Sequence, residues 1–561
     1  MNIKKYINFS ISLKNLLIGT IALFLFMFPV IRLILLSIST ESQTWTFAQY
    51  KILITDIRAE AAIWNTVYIS FAASFISAAG GIITAFFVAY TNLRHKNIIE
   101  LLVFLPFVIP AYVITLSWTE LTASNGFLSM VLEKIGISPI NLYSAGGIIV
   151  VLGICHISVV YAAVVHMLRK VPLETRWTAQ VSGCPVWKSL IKIDLPMVMP
   201  AVAGGTALAF LADIDNFAVP AFLGISSNIP VLSTYIYEKV ISFGPDSFAY
   251  GAVLSVILSG IALSGAGLAS MMSHKEKIME NAQEDYAIRI SFSSKKRQLI
   301  EGGIFFVLAL FSIIPFIYMA GNAMVTGSIL SATPFNLTWD NYYFVFTNNG
   351  LREAVCNSFF MAGTAMVLCL GMGTLIAYFL VRDHSRAAVF LSQCASITYS
   401  VPGIVLALAL IFYWSQPVPG INTGLYGSYS ILILGYVTRY MIIQIKNSAA
   451  AFATISEVSE QAALISGSSY IRMWVAVIVP QLVAPALSGA FFIFLSAFTE
   501  LTMSSVMSSA STKTIGLAIF NLQQGGDYNL AAAVSIILII IIAIVLGIQK
   551  IFEEWYTKRG I

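Results

Sequence analysis

The sequence predicts an all-α, polytopic membrane protein of about twelve transmembrane helices in two parallel six-helix repeats. Three observations lead there. Hydrophobic residues make up 58% of the 561 and charged residues only 10%, whereas a soluble domain is nearer one quarter charged. The apolar runs reach the roughly 20 residues that a helix needs to cross a bilayer core. They do not alternate as barrel strands would, and only these two architectures satisfy a backbone in lipid. Finally, one polar segment occurs twice. Residues 177–196 read WTAQVSGCPVWKSLIKIDLP and residues 461–480 read QAALISGSSYIRMWVAVIVP. Gly183 with Pro196, and Gly467 with Pro480, keep the same spacing in both.

The first apolar run, LLIGTIALFLFMFPVIRLILL, follows Lys4, Lys5 and Lys14. It is too long for a signal-peptide core and lacks a small-residue cleavage site, so a retained first helix is expected. Spans are expected near 16–38, 62–90, 98–120, 145–168, 197–222, 247–272, 299–321, 355–381, 387–413, 427–447, 481–506 and 527–550. With the N-terminus inside, cations gather on the inner side at Lys4, Lys5, Lys14, Arg94, Lys96, the first polar insert, the 274–298 linker, Arg382, Arg386, Lys446, Arg472 and the tail. Outer loops keep scattered ones such as Lys51, Arg58 and Lys134. That asymmetry orients the chain and places both termini in the cytoplasm.

The charged linker HKEKIMENAQEDYAIRISFSSKKRQ divides the chain into halves 1–280 and 281–561. Asn65-Thr66 aligns with Asn357-Ser358, and Pro110 with Pro402, at an offset of 292. Gly183 aligns with Gly467, and Asn216 with Glu500, at 284. A shorter outer loop in the second half (about 415–426, against about 121–144) absorbs the difference. An even number of spans per half makes the repeats parallel, with a substrate route between them.

The inserts, 172–196 and 454–480, each open with a short helix. Pro172 suits a first turn, Leu173, Trp177 and Val181 form one apolar stripe, and Gly183 is a stop. In the second copy Thr454 and Glu457 have capping-box spacing. Ile455, Val458, Ala462 and Ile465 form the stripe there, ended by Gly467. Both helices are too short and polar to span. One copy alone reads equally well as an interfacial helix; two on one side, at one spacing, favour docking of a cytoplasmic partner.

These stretches resemble the EAA loop of ABC-importer permeases, which runs E-A-A, three residues, Gly, then a longer gap to hydrophobic-Leu-Pro. The second half carries Gln461-Ala462-Ala463, Gly467 and Val479-Pro480; the first carries Trp177-Thr178-Ala179, Gly183 and Leu195-Pro196. Neither has Glu at the first motif position, although Glu460 adjoins it in the second. The resemblance implies that 173–183 and 455–467 are coupling helices seated on a homodimer of cytoplasmic ABC ATPase subunits, which carry the ATP and Mg. It also implies an extracytoplasmic binding protein that delivers cargo, and a place in the bacterial inner membrane. The fused halves, with LADIDNFAVPAFLG (211–224) and LSAFTELTMSSVM (495–507), are most similar to ferric-iron importer permeases. Related permeases of that branch move sugar phosphates, aminoethylphosphonate, thiamine or polyamines.

Asp213, Asp215, Asn216, Thr499 and Glu500 fall deep in their spans, the acids roughly 24–29 Å from the inner end at 1.5 Å per residue. Carboxylates there should face the bundle interior or a wet cavity. Two readings stay open: they line the translocation path with a field suited to a cation such as Fe(III), or they satisfy partners between helices. His156 and His166 lack a carboxylate at ligand spacing and read as satisfied histidines, not a metal site. Pro106, Pro110 and Pro402 can kink their helices. The five Cys show no zinc or disulfide spacing. GCPVWKS at 183–189 lacks the GxxxxGK[ST] pattern and a βαβ setting, so no phosphate loop, cofactor or catalytic residue is expected in this chain. A major-facilitator transporter, the main rival, would carry a Gly/Asp/Arg-rich loop where TNLRHKN (91–97) stands.

Overall fold

The computed structural model describes residues 15–39, 45–124, 126–242, 247–273, 284–326, 337–417 and 424–558. The cations Lys4, Lys5, Lys14 and Arg559 and most of the linker's charged start lie outside them. The described residues form helices and three isolated bridges, with no strand among them. Nine helices are long and apolar enough to cross a membrane, and two bent pairs add candidate spans. In order these are α1 (Asn15–Ser37), α2 (Ile57–Tyr90), the bent pair α3 (Lys96–Val108) and α4 (Ala111–Thr122), and α5 (Ala145–Lys170). The short helix α6 (Leu173–Val181) precedes α7 (Leu190–Asp215), α8 (Ser247–Met271) and α9 (Ser294–Asn322). The second series is α10 (Asn349–Val381), the bent pair α11 (Arg386–Ser400) and α12 (Gly403–Trp414), α13 (Tyr429–Thr454), short α14 (Glu457–Ile465), α15 (Tyr470–Phe498) and α16 (Tyr528–Tyr556). α13 occupies the expected tenth span; Arg439, Gln444, Lys446 and Asn447 dilute its apolar character.

The two offsets recur at helix boundaries. α2 and α10 begin at 57 and 349, and α4 and α12 at 111 and 403, both 292 apart. α5 and α13 begin at 145 and 429, and α6 and α14 at 173 and 457, both 284 apart. Pro110 and Pro402 end helices rather than kink them. Each drives the preceding residue out of helical geometry: Ile109 has ψ 133° and Val401 ψ 132°. The pairs consequently bend by 102° and 116°. Pro106, by contrast, sits inside α3 without ending it.

After these bends the chain enters the centre of the molecule. Every residue from Tyr112 to Thr122 in α4, and from Gly403 to Ile411 in α12, is buried. A helix buried on all faces has protein around it on every side. The first helix of each half packs on the other half. α1 lies against α11 and α12, with Phe28 and Tyr413 rings 6.3 Å apart and Ser385 donating to Asn15 Oδ1 at 2.9 Å. α9 lies against α3 and α4 through Phe311 and Trp118, 5.8 Å apart, and Glu301 accepts the His95 amide at 2.8 Å. Two expected spans end earlier than anticipated: α7 ends at Asp215 and α15 at Phe498, each followed by a separate short helix, Ala218–Leu223 and Ser504–Met507.

Candidate functional site

The short helices α6 and α14 end identically. Gly183 and Gly467 take φ of +79° and +84°, the left-handed conformation that glycine adopts without penalty. In the first copy the Gly183 amide donates to Gln180 O and the Cys184 amide to Ala179 O, both at 2.9 Å. In the second, Gly467 donates to Leu464 O at 3.0 Å and Ser468 to Ala463 O at 3.1 Å. This is the Schellman pattern, which satisfies the last carbonyls. The starts differ from expectation. Ser456, not Thr454, caps α14, accepting from the Val458 amide at 3.3 Å; Thr454 is the last residue of α13 and bonds back to Ala451 O. Pro172 is the cap residue of α6.

The motif residues divide between two faces. Ala179, Ala463 and Leu464 turn inward, the last two packing near Phe452 and Trp474. Trp177, Thr178, Gln461 and Ala462 are exposed, and Val181 and Ile465, equivalent under the 284 offset, are 90% and 87% exposed. The apolar stripes therefore end on bare tips. Glu460 faces inward: its Oε1 accepts from Arg382 Nε at 2.8 Å, and it is buried.

Past each Gly the chain re-enters the bundle through a widened turn. The Leu195 amide reaches Leu190 O and the Val479 amide reaches Trp474 O, five residues back. Pro196 and Pro480 follow at once. A proline ring would collide with the carbonyl four residues earlier in a regular helix, and the wide turn relieves that. The result is a rod from Leu190 to Asp215, about 39 Å at 1.5 Å per residue, matched by Tyr470–Phe498.

At the far end of the rods lies a charge cluster. Asp213 Oδ1 is 2.6 Å from His156 Nδ1 and its side chain is fully buried. Asp215 joins the repeats: Oδ1 accepts the Gly403 amide at 2.7 Å, at the start of α12, and Oδ2 pairs with Arg439 of α13 at 2.5 Å. Asn216 Oδ1 accepts the Val219 amide at 3.0 Å, and Glu500 Oε2 accepts the Met503 amide at 2.8 Å and Ser504 amide at 3.3 Å. These equivalent residues cap the short helices that follow. Thr499 bonds back to Leu495 O at 2.8 Å. Asp213 and Asp215 thus have partners on other helices, while Glu500 is held by amides just downstream of it. The histidines do have carboxylates: Asp213 for His156, and Glu284 for His166 at 3.0 Å. Arg439 and Glu120 were missed, although an ionisable residue inside a span is itself the signal. Glu120 accepts from Asn322 at 2.9 Å beside a cavity of about 620 Å³.

The family described as the inner membrane component of binding-protein-dependent transport systems matches residues 78–277 and again 369–558. This chain belongs to that family. Among its relatives, the ferric transport system permease protein FbpB of Actinobacillus pleuropneumoniae is 23% identical over 509 residues, 88% of this chain and 70% of that one. The sulfate transport system permease protein CysT of Escherichia coli is 29% identical over 247 residues, 44% of this chain and 87% of that one. A solved bacterial ABC transporter for alginate import is similar at 19% identity with a TM-score of 0.39, covering 50% of this chain and 100% of that one. The molecule is an ABC importer permease with two fused family domains, multi-pass in the membrane and similar to ferric permeases over most of its length. Family membership sets aside the major-facilitator alternative.

Proposed function

We propose that this permease imports ferric iron, with α6 and α14 as coupling helices for a homodimer of cytoplasmic ABC ATPase subunits and an extracytoplasmic protein supplying the cargo. Both termini are cytoplasmic in this reading. One observation carries it: two helices with equivalent bare tips, Val181 and Ile465, stand at the foot of matched rods that end at Asp215 and Phe498. Closure of the ATPase dimer would draw the tips together, and the rods would carry that motion to the cluster. The Asp215 bonds to Gly403 and Arg439 bridge the repeats, so they form the outer closure that must part for cargo to enter.

The iron assignment rests on relatives that match most of the chain. The acids do not add to it, because each is engaged within the protein. An oxyanion such as sulfate is the second reading, favoured by Arg439, whose Nη1 is buried without a hydrogen-bond partner. Uptake of radiolabelled ferric iron and of sulfate into proteoliposomes bearing the permease, its ATPase and its binding protein separates the two. Sulfate uptake without iron uptake would overturn the iron reading. Gly183→Pro with Gly467→Pro should abolish copurification of the ATPase; retention of it would remove the docking role from α6 and α14.

A further inference from the structure

Each proposed coupling helix hangs from the preceding span by a carbonyl at that span's negative end. Val171 is the cap residue after α5 and Ile455 the cap residue after α13, and the two are equivalent at an offset of 284. Such carbonyls lack partners within the helix, and a cation there is favoured by the helix dipole. In the second repeat Arg382, at the end of α10, supplies it. Its Nη2 donates to Ile455 O at 2.7 Å, its Nε to Glu460 at 2.8 Å, and its guanidinium lies 5.9 Å from the Phe452 ring centre. The equivalent of Arg382 in the first repeat, at an offset of 292, is Tyr90, which carries no charge.

A guanidinium is nonetheless there. Arg289, from the linker between the repeats, donates through Nη2 to Val171 O and through Nη1 to Tyr90 Oη at 3.1 Å. It lies 4.4 Å over the Tyr90 ring, and its side chain is 1% exposed. The segment that delivers it is fastened along its length. The Arg289 and Ile290 amides both donate to Tyr90 O at 2.9 Å, and the Asp285 amide to Arg169 O at 2.8 Å. Asn92 brackets Phe292 with bonds of 3.0 and 3.1 Å. Tyr286 lies under the Arg169 guanidinium at 4.7 Å, and Glu284 meets His166.

We propose that linker residues 284–293 are a built part of the first coupling-helix socket, with Arg289 the positioning residue that does there what Arg382 does in the second. The functional weight of this inference rests on α6 and α14 being coupling helices; the clamp itself does not. The linker is thus a strap: loosening it loosens α6 alone.

Hydrogen exchange on the purified full-length chain tests this without any partner. Arg289→Ala should speed exchange of the 173–183 amides about tenfold or more, as expected for losing a hydrogen bond to a charged group, and leave 457–467 unchanged. Arg382→Ala should do the reverse. Arg289→Lys, which keeps the cation but cannot fork between Val171 and Tyr90, should fall between; Arg289→Gln serves if the alanine variant does not accumulate. Wild-type exchange at 173–183 in Arg289→Ala or its glutamine substitute, or equal acceleration at both helices, would overturn the clamp. ATPase copurification with the same variants is a separate reading: faster exchange with undiminished association would keep the clamp and remove the coupling role.

Discussion

The two repeats reach the same geometry at their short helices with different chemistry, and they diverge outright at the charge cluster. At the short helices a guanidinium meets the carbonyl before each one, drawn from the linker in one repeat and from the preceding span in the other. At the charge cluster Arg439 has Cys155 as its equivalent, Gly403 has Ala111, and Asp215 has Thr499. Only one of the two possible bridges is therefore built, from Asp215 of the first repeat to α12 and α13 of the second. The short helices are thus alike in the two repeats, whereas the junction between the repeats is built once.

Making the repeats alike at one position at a time tests that view. The largest effect is expected from Arg439→Cys, which copies the first repeat and leaves Asp215 without its cation. Removing one partner of a buried pair costs about 3–5 kcal/mol, and the low end applies because the Asp215 side chain is 36% exposed. A lower thermal midpoint in detergent is the readout, and an unchanged midpoint would show that the bridge holds nothing. Gly403→Ala comes next. A Cβ there would stand 2.7 Å from Nη1 of Arg439, a side chain that Asp215 holds through Nη2, and such overpacking costs about 1–3 kcal/mol. The reverse change at the equivalent position, Ala111→Gly, should not disturb the bridge.

Gly183→Ala and Gly467→Ala should each cost about 1–2 kcal/mol, the left-handed penalty of a residue with a Cβ. Nothing lies within 4 Å of either added Cβ, so the two costs should match; unequal losses in ATPase association would show that one helix dominates coupling. Asp56→Asn is the mildest, since the equivalent residue is Asn348. Burial raises the Asp56 carboxyl, but hydrogen bonds from Tyr235, Tyr250 and the Ala59 amide, with Lys239 nearby, outweigh it and hold it below the usual range. A depressed carboxylate stabilises above its ordinary pKa of about 4 and loses that as pH falls through the folded value. The variant's deficit should be under about 1 kcal/mol at neutral pH, the size of one net hydrogen bond, and should shrink in acid. A deficit constant with pH would place the effect elsewhere.

Much of this was legible in the chain. The Gly-to-Pro spacing marked both left-handed turns and both rods, and Pro110 and Pro402 marked the bends. The offsets located equivalent helices to the residue. Other features misled for physical reasons. FAVPAFL after Asn216 is as apolar as a span, yet side-chain capping by Asn216 breaks the helix there. Thr454 has capping-box spacing, but it is the last residue of α13. The partners of the acids in α7 could not be read from spacing, because they lie far off in sequence: His156 is 57 residues from Asp213, and Arg439 is 224 from Asp215.

Local sequence by itself determined the helices, the turns between them and the duplicated plan, because backbone satisfaction in lipid and the left-handed demand on glycine act over a few residues. Which side chains answer the buried charges, and that the linker lends Arg289 to the first repeat, only the tertiary structure decided. Those pairings depend on which helix faces meet, and no spacing along the chain records that.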